Sequence, residues 1–234
     1  MLKHLTILLA FLMTLSSPVA SQDFQKGLAA AQAGDFATAL QEWTPLAEQG
    51  NASAQNNLGA IYYTGDGVPQ DYKESAKWYR LAAEQGDAKA QNNLGAMYEY
   101  GNGVPQDYKE SAKWYRLAAE QGDADAQNNL GNMYVNGDGV PQDYKEAVKW
   151  YRLAAEQGYA TAQSNLGVMY EYGFGVLQDN VTSHMWYNIA SANGDGKAGK
   201  YRDERAGLMT PEGIEKAQAM ARECMSSDYE KCGY

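Results

Sequence analysis

The sequence predicts an all-α fold: a right-handed α/α superhelical solenoid of about five helix-pair repeats, about 50 Å long if successive pairs stack about 10 Å apart. Three observations carry that prediction. Shifting the 234-residue chain against itself by 36 positions aligns residues 51–86, 87–122, 123–158 and 159–194 without a gap, and the first two copies differ at only six of 36 positions. Within each copy, apolar residues recur at helical spacing. The composition, with 18 Tyr and 24 Gly against four Phe, is that of one short unit copied several times. Such a unit cannot bury its own apolar face and must stack on its neighbours.

The chain opens with a processing signal. Lys3 and His4 precede an apolar run over residues 5–15, followed by Ser16-Ser17-Pro18 and Val19-Ala20-Ser21, the layout of a secretory signal peptide over residues 1–21. The run is too short to span a bilayer. Cleavage is expected near Ala20 or Ser21, with no membrane insertion afterwards. No Cys precedes Cys224, so the cleavage site carries no cysteine for lipid attachment.

Residues 22–50 read as a partial, capping repeat: a shortened first helix over 24–34, then a segment over 35–50 that matches the second half of the unit. In the first full copy, Ala54, Leu58, Ile61 and Tyr62 define helix A, and Gly65 ends it where φ > 0 is needed. Asp66-Gly67-Val68-Pro69 is a turn, and Asp71 with Glu74 three residues on forms a capping box for helix B. Helix B carries Tyr72, Ala76, Tyr79 and Ala83 on one face. Gly59, matched by Gly95, Gly131 and Gly167, sits mid-helix at a propensity cost of about 1 kcal/mol. Close approach of helix B is the expected compensation.

The fourth copy, 159–194, diverges. Leu177 stands at the turn proline, Asn180 at the tyrosine, Thr182 at the capping glutamate and His184 at the position of Ala76. Residues 195–234 are expected to close the stack, first with a helix over 195–208. A last helix then has Thr210 as its N-cap and Pro211 at its first position.

Net charge is −10 and no basic tract exists, which argues against nucleic acid or an anionic membrane as partner. In an exported chain the natural state of Cys224 and Cys232 is a disulfide, since a redox pair is usually Cys-x-x-Cys and a metal site needs more ligands. No metal or cofactor is expected. The Gly-x-Gly turns lack a following Lys-Ser or Lys-Thr, and Asp71 would repel phosphate.

The pattern Ala-x-x-x-Leu-Gly-x-x-Tyr-x-x-Gly-x-Gly-Val, then Asp-Tyr-x-x-Ala-x-x-Trp-Tyr and Ala-Ala-x-Gln-Gly, is present as Ala90, Leu94, Gly95, Tyr98, Gly101, Gly103, Val104, Asp107, Tyr108, Ala112, Trp114, Tyr115 and 118–122. It resembles the Sel1-like repeat family, relatives of tetratricopeptide repeats. The resemblance covers residues 24–209. It implies a superhelical stack of antiparallel helices acting as an adaptor in protein complexes, with secreted bacterial members serving envelope assembly or contact with host proteins. A cysteine-rich bacterial branch pairs cysteines across seven residues, as Cys224 and Cys232 would; this chain has that pair only once.

Differences between the copies suggest where a partner binds. They cluster on one face of helix A, at Ser53, Asn56, Ala60, Tyr63 and Thr64, which become Lys89, Asn92, Ala96, Glu99 and Tyr100, then Asp125, Asn128, Asn132, Val135 and Asn136, then Thr161, Ser164, Val168, Glu171 and Tyr172. In tetratricopeptide-like stacks this face lines the concave groove. The expectation is a groove for an extended peptide or a partner's helix, with Tyr63, Tyr100 and Tyr172 as aromatic anchors and the asparagines as backbone hydrogen-bond partners; neutral variation on a solvated face is the competing explanation. The near-constant helix B stripe Lys73, Lys77, Arg80 and Glu84 reads as a solvated convex face with i,i+4 pairing, and Trp78, Trp114, Trp150 and Trp186 as packing between repeats. The alternative function is β-lactam binding or hydrolysis, associated with some relatives, but no Ser-x-x-Lys, Ser-Asp-Asn or Lys-Thr-Gly occurs. The reading is therefore an exported, non-enzymatic adaptor in the periplasm or outside the cell.

Overall fold

The computed structural model describes the backbone of residues 18–232 and side chains from Asp23 to Cys232. The expected signal segment thus lies outside the described residues, except that residues 18–21 open the first helix. Among the described residues there are twelve helices and no strand. They pair in sequence as α1(Pro18–Gln32) with α2(Phe36–Glu48), α3(Ala52–Thr64) with α4(Tyr72–Glu84), α5(Ala88–Tyr100) with α6(Tyr108–Glu120), α7(Ala124–Asn136) with α8(Tyr144–Ala155), and α9(Ala160–Tyr172) with α10(Asn180–Ala192). α11(Ala198–Ala206) and α12(Pro211–Ser226) follow. Each even-numbered helix of the five pairs packs both on its own partner and on the next element. The result is the predicted solenoid.

Local chemistry sets each boundary. Gly65, Gly101, Gly137 and Gly173 cap the A helices in the left-handed region, φ 71–82°, where a side chain would be strained. Asp71, Asp107 and Asp143 accept from two backbone N–H groups of the following helix. The reciprocal half of the capping box does not form: the N–H of Asp71 donates to the Tyr62 carbonyl, and Glu74 pairs with Lys77 at 2.9 Å. The turn after helix A has already taken the donor that Glu74 would have met.

The mid-helix glycines meet the expected close approach. A Cβ on Gly59, Gly95, Gly131 or Gly167 would lie 2.5–2.7 Å from the ring of Tyr79, Tyr115, Tyr151 or Tyr187 respectively. Each tyrosine ring lies flat against a helix that has no side chain there. Trp78, Trp150 and Trp186 are buried, with Trp78 packing among Trp43 and Leu46 of the preceding unit and Leu58 of its own, which makes it inter-repeat core.

α12 packs on α10, burying Ala217, Ala221 and Cys224 against Met185, Trp186 and Ile189. The Cys224–Cys232 disulfide folds the chain back beside it. Thr210 caps α12 by accepting from the Gly213 N–H at 3.2 Å. No described helix is long and apolar enough to cross a membrane.

Candidate functional site

Two rows of amides tie the repeats together. Gln55, Gln91, Gln127 and Gln163 are buried; each donates to a carbonyl at the end of the preceding pair (2.9–3.1 Å) and accepts from Gln85, Gln121, Gln157 or Asn193 (2.7–2.8 Å). On the helix A face, Asn93 donates to Asn56 at 3.2 Å, Asn129 to Asn92 at 3.1 Å and Asn165 to Asn128 at 2.9 Å. Adjacent A helices therefore stand side by side, joined by a continuous asparagine ladder. The second asparagine of each step, at 57, 93, 129 and 165, is identical in all four copies, and that identity was the sequence signal for a structural role.

The candidate stripe divides accordingly. Ser53, Lys89, Asp125 and Thr161 are exposed in the first turns of their helices. Tyr159, at the next repeat's boundary, bonds Asp125, and burial with that bond pushes its phenol up to about 12. Asn56, Asn92 and Asn128 belong to the ladder, and Asn128 is buried. Glu99, Asn132 and Glu171 accept from the hydroxyls of Tyr115, Tyr151 and Tyr187 at 2.6–2.7 Å. Glu171 also pairs with Arg205 of α11 at 3.2 Å, both side chains mostly buried. Burial first, and the neighbouring carboxylate second, push the phenols of Tyr115 and Tyr187 far up, so these hydroxyls stay donors.

The aromatic candidates differ from these. Tyr100 and Tyr172 are 66% and 59% exposed, whereas Tyr63 is 36% exposed, rests on Tyr72 (centroids 5.1 Å apart) and accepts weakly from Asn102 at 3.4 Å. Tyr172 stacks on Phe174, which stacks on Tyr144, so an aromatic edge continues along the turns. The Glu99 charge raises the Tyr100 phenol.

Helix B holds a surprise. Arg80, Arg116 and Arg152 do not simply project into solvent: each donates to the next repeat's tyrosine, Tyr98, Tyr134 or Tyr170, at 2.6–2.7 Å. The charge pairs there are i,i+3, Glu74–Lys77, Glu110–Lys113 and Glu146–Lys149, not i,i+4.

Two pockets that sequence reasoning missed flank α3. One, of about 170 Å³, lies between α1 and α3, lined by Ala31, Phe36, Trp43, Ala60 and Ile61 with Asn57 at its side. The other lies between α3 and α5, lined by Tyr63, Tyr79, Asn93 and Ala96. Among the described residues no cluster of three or more His, Cys, Asp or Glu side chains could hold a metal ion.

Comparison with known proteins supports the architecture. The Sel1 repeat matches residues 52–87, 88–123, 124–159 and 160–195. A protective antigen present in uropathogenic Escherichia coli strains, displaying an SLR fold, is 36% identical with a TM-score of 0.77 over 88% of this chain, which spans only 46% of that protein. A Sel1 repeat protein from Oxalobacter formigenes is 34% identical with a TM-score of 0.76, covering 88% of this chain and 83% of its own. A protein of Pseudomonas aeruginosa, 22% identical with a TM-score of 0.52, shares the fold. No curated protein matches the chain. Four consecutive repeat matches over most of the described helices, together with these two solved relatives, place the chain in the Sel1 repeat family.

Proposed function

We propose that this protein is exported, to the periplasm or beyond the cell, and serves there as an adaptor or scaffold that takes a protein or peptide partner along the groove of its helix A faces. Sel1 repeat proteins generally mediate protein–protein interactions, which supports the class. The N-terminal signal layout and the disulfide support export. The groove rests chiefly on one observation: Tyr100 and Tyr172 stand exposed on a face where Asn56, Asn92, Asn128, Glu99, Asn132 and Glu171 are already hydrogen-bonded between helices. Rigid aromatic anchors on a pre-ordered surface are what interface hot spots require.

The test is to change Tyr63, Tyr100 and Tyr172 together to Ser. Melting should stay close to the parent's, since two of the three side chains are mostly exposed. Capture of the partner from envelope extract or host serum should weaken by more than about 2 kcal/mol. Changing Lys73, Lys109 and Lys145 on helix B should do much less. Equal capture by the tyrosine variant, at equal stability, would reject the groove.

A further inference from the structure

Two copies carry a glutamate at the same register position of helix A, and the two are answered differently. In the fourth copy, Glu171 accepts from the Tyr187 hydroxyl on Oε2 at 2.7 Å, and its Oε1 pairs with the Arg205 guanidinium of α11 at 3.2 Å. In the second copy, Glu99 accepts from the Tyr115 hydroxyl on the same oxygen, Oε2, at 2.6 Å. Among the described residues no cationic side chain pairs with Glu99. The cause is the next helix in the stack. α11 follows α10 and brings Arg205, whereas α7 follows α6 and contains no Lys, Arg or His. The first and third copies hold Tyr63 and Val135 at this register, so an unpaired carboxylate occurs there once.

The aromatic setting of the two glutamates is the same. Tyr172 follows Glu171 and Tyr100 follows Glu99, and both rings are mostly exposed. Glu171, through its hydrogen bond first, raises the Tyr172 phenol, and the Arg205 charge opposes it. Glu99, through its charge first, raises the Tyr100 phenol, and no cation opposes it. A carboxylate has room for a second partner beyond one tyrosine hydroxyl. Glu99 is half-buried and borders the exposed Tyr100, so a side chain from outside can reach its second oxygen.

The molecule thus shows, in its fourth copy, which group completes this arrangement. We infer that Glu99 and Tyr100 form a subsite for one arginine side chain of the partner, whose guanidinium pairs with Glu99 Oε1 as that of Arg205 pairs with Glu171, with its flat face against the Tyr100 ring. A guanidinium suits the place better than an ammonium: it is planar, more weakly hydrated, and can stack on an aromatic face while it bonds a carboxylate. The net charge of −10 draws a basic segment towards the protein.

The subsite rests on the groove proposed above, and the two can fail separately. The probe is acetyl-arginine-amide, titrated into isotope-labelled protein and followed by NMR, beside acetyl-lysine-amide and the neutral isostere acetyl-citrulline-amide. A single, partly exposed ion pair binds weakly, so the quantity read is the shift per unit of added ligand. Arginine should move the Glu99 carboxyl and Tyr100 ring resonances at least about threefold more than lysine does, and citrulline should leave them in place. Glu99→Gln should remove the response while melting holds, because the glutamine oxygen still accepts from Tyr115. Arg205→Ala frees Glu171 and should gain a second response there and at Tyr172 that the parent lacks. Equal responses to the three ligands, no response at Glu99 in the parent, an unchanged response in Glu99→Gln, or no gain in Arg205→Ala at unchanged helix content overturns the inference. If it falls while the Tyr63, Tyr100, Tyr172 variant still loses its captured partner, the groove stands and only the arginine subsite fails. If the arginine response holds while that variant captures the partner as the parent does, the groove fails instead.

Discussion

The two ends of the stack are finished differently. At the C-terminal end, the position open to solvent on α4, α6 and α8 as Leu81, Leu117 and Leu153 is Ile189, fully covered by α12. Its tyrosine hydroxyl is answered by Glu171, which Arg205 of α11 holds in turn, and the disulfide closes the tail. At the N-terminal end, three residues (33–35) join α1 to α2 where seven (65–71) join α3 to α4. A pocket lined by Ala31, Phe36, Trp43, Ala60 and Ile61 is left on the helix A side. One end is packed shut and the other keeps its spaces, so stability should concentrate at the first and recognition at the second.

Changes at the closed end should show the largest effects. Trp186→Ala, at a fully buried indole, should cost about 3–5 kcal/mol by urea unfolding. The same change at the half-buried Trp114 should cost less. If both cost the same, the two regions are packed alike and the contrast fails.

Removing the disulfide through Cys224→Ser with Cys232→Ser should cost about 2–3 kcal/mol on the chain-entropy view. Hydrogen exchange should quicken in α12 and the buried face of α10 while α3–α6 keep their protection, because a solenoid transmits loss mainly to its neighbour. Uniform loss across all repeats would mean the stack melts as one unit.

A smaller effect should follow pH. His184 is the single described histidine, buried in α10 near Arg202 and Asp203 of α11, with an Nδ1 that has no partner. Burial first, and the charge of Arg202 second, hold its pKa below the ordinary value, with Asp203 opposing. The unfolded chain takes up its proton near pH 6.5. Above that pH both states are neutral and nothing is lost; as pH falls below it, the unfolded chain gains a proton that the folded state resists, and stability declines. Urea midpoints between pH 7 and 5 should fall more steeply for the parent than for His184→Ala, which restores the residue found at Ala76 and Ala112. Equal slopes would assign the pH response elsewhere.

The fold was legible because its determinants repeat. A glycine facing Tyr79, Tyr115, Tyr151 and Tyr187 in turn, and an aspartate opening each B helix, are local rules read four times over. The extent of the first helix was less so: α1 begins at Pro18, inside the segment read as a signal, because helical propensity does not stop at a processing site. The proposed binding face was legible only in part. Variation between copies singled out one face of helix A, but it mixed exposed side chains such as Tyr100 with residues whose variation is absorbed inside the fold. Glu99, Asn132 and Glu171 differ in type or register yet serve one purpose, answering a tyrosine hydroxyl from the other helix. Arg80 looked solvated because its partner, Tyr98, lies 18 residues on, across a repeat boundary. The pockets beside α3, lined by Phe36 and Trp43 on one side and Tyr63 and Tyr79 on the other, carry no motif.

The most direct test of the account is a hydrogen-exchange footprint of the protein with and without its bound partner. The account predicts added protection along α3 and α5, centred on residues 57–64 and 93–100, with α4, α6 and α10–α12 unchanged. Protection confined to the B helices or to the closed C-terminal end would contradict it.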